Sequence, residues 1–325
     1  MTKSTLDPEF AKAIERTLSK LDIPPKPKVG DVLTRRKDID KLMGDLLSQL
    51  PPIYDVEKAL IGHAESHDGY QVAIYRFKKS VPEMGSPGPA IVYTHGGGYF
   101  CLSVDIYRPL LEYYVSKTGY PLYAMEYRLP PEHPFPSPVQ DCFAALKFVS
   151  RNAAALDVDP LRIVLMGDSA GGGLCASTAI LARDQGVHVA KQMVIHGNLD
   201  DRTVEPKSMP ELAEFASWSI EDNITGWNAY LGDGHEHKSD DDMPAYAAAS
   251  RVADVTALAP LYLDVPALDI LRDEGIRYAG RLSEAGIATE LHVYPGVPHG
   301  FELFTPDIKM AKMVMEIRIR AIQAV

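Results

Sequence analysis

The sequence is poor in cysteine, in basic charge and in long apolar runs, and each shortage removes a class of protein. Its three cysteines, Cys101, Cys142 and Cys175, are scattered, and none forms a C-x-x-C pair. They build no disulfide framework, and a structural zinc or dithiol redox site lacks ligands at the required spacing. Lys and Arg number 33 against 44 Asp and Glu, a formal net charge of −11. Gripping phosphates needs clustered cations, so neither a nucleic acid nor an anionic membrane surface is an expected partner. No stretch approaches the roughly 20 apolar residues of a membrane-spanning helix. The N-terminal "MTKSTLDPEFAKAIERTLSK" is polar and lacks the apolar core of a signal peptide. The expected location is therefore cytoplasmic, with the negative charge serving solubility. No internal repeat or low-complexity tract is visible.

What remains is a chain of 325 residues, 46% hydrophobic and 24% charged, large enough to bury a sizeable core. Two helical patterns open it. "PEFAKAIERTLSKL" repeats apolar residues near a 3.6 period, and a second helix lies between the proline-rich borders around residues 24–52. The period then changes. "VEKALIGHA" and "YQVAIYRFK" alternate like paired strands joined by the turn "ESHDG". From residue 90 the rhythm becomes strand, loop, helix. The strands are "AIVYTH", "LYAMEYRL", "RIVLMG", "QMVIHGNL", "LYLDVPALD" and "ELHVYP", with helices near 104–118, 138–156, 171–185 and 272–286 and at the end of the chain. Continuous apolar strands alternating with helices predict an α/β fold. The expected architecture is a mostly parallel sheet of about eight strands, helices on both faces, and an antiparallel edge at its start. An insertion near 203–245 interrupts the rhythm with a helical, aromatic-rich segment and an acidic, mobile stretch over 232–242. Together with residues 1–50 it reads as a helical cap on a single domain, whose core spans 55–202 and 246–325.

Four elements carry chemistry. Gly167-Asp168-Ser169-Ala170-Gly171 is a G-x-S-x-G between a strand and a helix, the context of a nucleophile elbow. The following helix N-terminus favours developing negative charge near Ser169. "YTHGGGYF" ends an earlier strand with three glycines, whose bare N–H groups suit an oxyanion; His95 there reads as a structural anchor. Asp269 follows a strand in "DVPALDILRDEG", and His299 follows another in "YPGVPHGFELF". The order Ser169, Asp269, His299 is that of a Ser-acid-His triad on a sheet of this kind. Asp264, inside a strand, competes with Asp269 for the acid, as do Asp273 and Glu274, whose plainer role is favourable charge in a first helical turn. Asp168 reads as a support of the elbow, and Glu132 and His133 as packing and hydrogen-bonding residues. His196, in the unusual "IHGNLDD", has no role legible in the sequence.

"HGGGY", "YRLPPEHPFP", "GDSAGGG", "LDILRDEG" and "PHGF" together resemble the hormone-sensitive-lipase-like esterases of the α/β-hydrolase superfamily, over roughly residues 55 to 305. The resemblance implies a serine carboxylesterase acting on a small, short-chain ester through an acyl-enzyme, with no metal and no cofactor. It implies that Gly97, Gly98 and the N–H of Ala170 form the oxyanion hole, and that a homodimer can form through the edge strand at "ELHVYP". One departure is "ALDIL", where Ile270 replaces the usual proline; Asp269 itself is retained. Two alternatives stand beside the esterase. An amidase or deacetylase uses the same residues. A small-molecule receptor on this fold would lack the histidine that His299 supplies.

Overall fold

The computed structural model describes residues 5–81, 87–203 and 212–325. Among these residues eight strands form one sheet: β1 (Val56–Glu65), β2 (Gln71–Lys79), β3 (Gly88–Thr94), β4 (Leu122–Met125), β5 (Val158–Asp168), β6 (Lys191–Ile195), β7 (Leu261–Pro266) and β8 (Thr289–Tyr294). Their order is β1-β2-β4-β3-β5-β6-β7-β8. β1 pairs antiparallel with β2 and β2 with β4, and the remaining neighbours are parallel. The antiparallel edge expected from the alternating first strands is therefore in place. β3 and β5 lie at the centre, where Ala90–Thr94 and Ile163–Asp168 are buried without interruption. That is why those segments read as unbroken apolar runs rather than as alternation.

Among the described residues, ten α-helical segments accompany the sheet: α1 (Pro8–Leu18), α2 (Val32–Leu47), α3 (Val104–Thr118), α4 (Ser137–Arg151), α5 (Ala170–Asp184), α6 (Leu212–Phe215), α7 (Ile220–Leu231), α8 (Arg272–Glu284), α9 (Phe301–Phe304) and α10 (Lys309–Gln323). One face of the sheet packs against α4, α5 and α8, and the other against α3 and α10. α5 is buried from Ala170 to Ala182. Its Ala- and Gly-rich sequence follows from that position, since a helix wedged against a sheet and a neighbouring helix needs small side chains.

Three strands end earlier than the sequence suggests. β4 stops at Met125 rather than near 129, β6 at Ile195 and β7 at Pro266. In each case the chain leaves the ladder for other partners. After β6 the N–H of Asn198 turns to the carbonyl of Ser169 at 2.9 Å, and after β4 Arg128 turns to Asp141 and Asp68. The helix expected over 138–156 breaks after Arg151, and a short 3-10 turn, Ala153–Leu156, follows it.

α1, α2, α6 and α7 gather at the C-terminal end of the parallel strands. Arg36 on α2 donates to the carbonyls of Phe100 and Pro130, both at 2.6 Å, and pairs with Glu132. Asp40 accepts from the N–H of Leu102 at 2.7 Å, and Arg35 is buried against Asp222 of α7. The stretch over 232–242, expected to be mobile, is instead anchored. His235 is buried beside Asp201 (2.9 Å), and Arg251 binds both Asp201 and Asp240. Residues 204–211 of the expected insertion lie outside the described residues.

Candidate active site

Ser169 sits on the turn between β5 and α5 with φ 54° and ψ −124°. A non-glycine residue in that region is strained, and surrounding contacts must hold it there. Here the N–H of Ser169 donates to the carbonyl of Ile195 at 2.9 Å, while its carbonyl accepts from Gly173 and Asn198. The glycine after it is obligatory. A Cβ on Gly171 would strike the backbone oxygens of Thr94 and His95, which belong to the neighbouring strand end and cannot move aside. Asp168 is fixed from both sides by Tyr93 (2.6 Å) and Tyr107 (2.5 Å). Burial and the Asp168 charge hold both phenols well above their ordinary range, so they remain donors. Asp168 thus supports the elbow, as the sequence suggested.

Nε2 of His299 lies 2.9 Å from Oγ of Ser169, and its Nδ1 lies 2.6 Å from Oδ2 of Asp269. Asp269 is buried and also accepts from the N–H of Leu271 at 2.9 Å. Ser217 donates to the carbonyl of His299 at 2.6 Å, tying the segment before α7 to the histidine loop. The rival acids lie elsewhere. Asp264 is buried inside β7 and bound to Arg318 at 2.7 and 3.0 Å, and Asp273 is bound to Arg272. Glu274 is not simply a first-turn charge, as the sequence had it. It is buried and accepts from the N–H groups of Leu199 and Asp200 and from Thr203, which fastens the segment leaving β6. Burial, with Asp200 nearby, pushes its carboxyl well above the usual range.

The glycine loop comes to the same place. Gly97 has φ 108°, and a Cβ there would strike the carbonyl of Cys101; Gly98 lies under the ring of Trp218. His95 is buried behind them, stacked on Tyr127 with ring centroids 4.3 Å apart. Its own Nδ1 meets the Gly96 carbonyl at 2.8 Å. Burial lowers its pKa to about 4, so it is neutral at physiological pH, in keeping with an anchoring role. Glu132 and His133 are likewise structural, the first as the partner of Arg36 and the second against Tyr70.

A cavity of about 470 Å³ opens over Ser169 and is bordered by Gly97, Gly98, His196 and His299. Its far wall is apolar and comes from the N-terminal segment and the stretch before α7, among them Phe10, Ile14, Met43, Phe215 and Trp218. Among the described residues, no group of His, Cys, Asp and Glu is arranged to hold a metal ion. The three cysteines are buried and free.

Sequence reasoning missed three contributors. Trp218 roofs the glycine loop, Arg36 fastens that loop from α2, and His196 packs against His299. They come from separate segments with no shared spacing; of the three only His196 stood out in the sequence, and without a role.

Comparison with known proteins bears on the fold and the reaction class. The family model described as the α/β-hydrolase fold matches residues 91–303. The chain is 35% identical over 218 residues to the carboxylesterase NlhH of Mycobacterium tuberculosis, a match covering 66% of this chain and 67% of that protein. It is 26% identical over 261 residues to the ethyl acetate hydrolase of Pseudomonas putida, covering 79% and 80% respectively. The solved structure of a bacterial heroin esterase superposes with a TM-score of 0.87 at 36% identity, over 98% of each chain.

Proposed function

The chain belongs to the α/β-hydrolase family and is a carboxylic ester hydrolase of its hormone-sensitive-lipase-like branch, and from that premise we propose that Ser169, His299 and Asp269 carry the reaction. The observation that supports this most directly is the unbroken relay from Oγ of Ser169 through both ring nitrogens of His299 to Asp269. In this reading His299 takes the Ser169 proton through Nε2 as Oγ attacks the ester carbonyl, and a tetrahedral intermediate forms. Asp269 holds the Nδ1–H tautomer and stabilises the imidazolium. The N–H groups of Gly97, Gly98 and Ala170 receive the oxyanion, aided by the N-terminus of α5. The proton then passes from His299 to the leaving alcohol oxygen, and the alcohol departs. Water, deprotonated by His299, attacks the acyl-Ser169 ester and releases the acid.

The segments 1–50 and 203–245 act as a cap in this proposal, supported by the hydrogen bonds from α2 to the glycine loop and by the share that their described residues have in the cavity wall. An apolar cavity of this kind suits a neutral ester without charged groups. We assign a short acyl chain to it. Initial rates on p-nitrophenyl acetate, butyrate, octanoate and laurate, with Ser169→Ala as control, test both parts. Turnover that persists in the variant would remove the nucleophile assignment, and a maximum at laurate would remove the short-chain one. A homodimer through β8 belongs to the same proposal. β8 ends the sheet, and its Leu291 and Val293 are 38% and 40% exposed. Sedimentation of the wild type beside a Val293→Lys variant tests it; a wild-type monomer would refute it. No helix among the described residues is long and apolar enough to cross a membrane.

A further inference from the structure

His196 follows β6 directly and is 2% exposed. Its φ is 34°, in the region that side chains rarely adopt. Its ring stands edge-on to that of His299, with centroids 4.4 Å apart and planes at 68°. Nε2 meets Oε1 of Glu302 at 3.1 Å, and Nδ1 has no partner among the described residues, so Glu302 is the ring's one polar anchor. Glu302, from α9, also accepts from Arg318 of α10 at 2.7 Å, and Arg318 in turn grips Asp264 of β7. All four side chains are buried. Two carboxylates therefore face one guanidinium, leaving one negative charge uncompensated in the interior. His196 is the cation that can cancel it.

We propose that His196 is a positioning residue for the proton transfer: its imidazolium, held by Glu302, faces His299 and favours the neutral, proton-accepting form of that ring. This rests on the assignment of His299 as the general base. The groups facing His196 are Glu302, Arg318 behind it, Asp168 from the elbow, and His299 with its partner Asp269. Burial acts to lower the pKa of His196, and Arg318 adds to that, but Glu302 by charge and hydrogen bond, with help from Asp168, brings it above the ordinary value. A second positive charge on His299 is then resisted in the resting enzyme. During the reaction the repulsion is offset, because negative charge develops on the substrate oxygen as the proton reaches His299.

The test reads the ring nitrogens of the full-length protein by NMR across pH, which requires no turnover. In the wild type, His196 is expected to show imidazolium shifts at neutral pH; a neutral His196 there overturns the proposal. His196→Asn keeps a residue tolerant of positive φ and removes the charge. Glu302→Gln removes the counter-charge from a different element. Each is expected to move the acid limb of the pH profile of kcat/KM to higher pH. An acid limb that stays at its wild-type pH in a folded His196→Asn protein, whatever the rate, assigns His196 a merely structural role and sinks the inference. Failure of Ser169-dependent hydrolysis would instead remove the esterase mechanism, since the NMR titration stands without it.

Discussion

His299 and Asp269 meet at 2.6 Å through Nδ1 and Oδ2, whereas Asp273, four residues further on, is bound to Arg272 at the start of α8. Which carboxylate partners the histidine is thus decided by where β7 ends and α8 begins. Asp269→Asn is expected to lower kcat by roughly 10³–10⁴, as loss of the orienting acid does in serine hydrolases of this type. Asp273→Asn should stay near wild type. Steady-state kinetics on p-nitrophenyl butyrate separate the two, and the reverse ranking would mean that Asp269 is not the acid.

The glycine loop is a matter of space as well as of donors. Gly97→Ala forces a methyl onto the Cys101 carbonyl at a φ of 108°. Displacing one oxyanion donor costs on the order of 10²–10³ in kcat, so kcat should fall by about that factor with KM little altered. A variant that is folded by circular dichroism yet fully active would take Gly97 out of the oxyanion hole.

Arg36 joins the N-terminal helices to the reaction centre through two carbonyls and one carboxylate. A planar five-donor group serves three acceptors in a way that an ammonium cannot. Both Arg36→Ala and Arg36→Lys are expected to lower kcat/KM by about tenfold or more, through displacement of the loop that carries Phe100. If Arg36→Lys retained wild-type kcat/KM, the guanidinium geometry would be irrelevant.

Glu274 gives a pH dependence of stability. Its folded-state pKa is raised well above the ordinary value by burial, with Asp200 adding to it. The folded protein therefore binds this proton more tightly than the unfolded chain does. The resulting stability is complete below the unfolded pKa, near 4.3, and is lost as pH rises through the folded value. Glu274→Gln keeps an oxygen for the N–H groups of Leu199 and Asp200 and removes the charge. Its melting temperature should fall less than that of the wild type as pH rises above the unfolded pKa of about 4.3. Glu274→Ala should be destabilised by about 1–3 kcal/mol at any pH, because buried N–H groups lose their acceptor. Parallel melting curves for wild type and the Gln variant would refute the protonation argument.

The buried pairing around Arg318 is expected to be the most fragile polar contact. Arg318→Met leaves Asp264 and Glu302 without their shared cation, at a cost of about 3–5 kcal/mol. Chemical denaturation of the two proteins measures it. A loss below about 1 kcal/mol would show that water or a rearranged side chain replaces the guanidinium.

The sequence by itself determined the sheet, its antiparallel edge and the order of the three residues proposed to react. Those features are local: a buried strand must be an apolar run, a tight elbow must have Gly167 and Gly171, and each reactive side chain follows a strand end. It also carried the family resemblance, because the motifs that hold the turns are short and contiguous. Tertiary structure decided the rest. Arg36, Trp218 and His196 reach the site from segments whose own patterns say only helix, loop and strand end, and their meaning lies in what they touch across the fold. Glu274 looked like a helix-start charge because periodicity reports a face and not what covers it; the cover is the segment leaving β6. The acidic 232–242 stretch looked free because composition records charge, while its anchors, Asp201 and Arg251, lie outside it in the chain. Spacing along a chain reports local geometry, and electrostatic pairing between buried groups depends on distances that only packing sets.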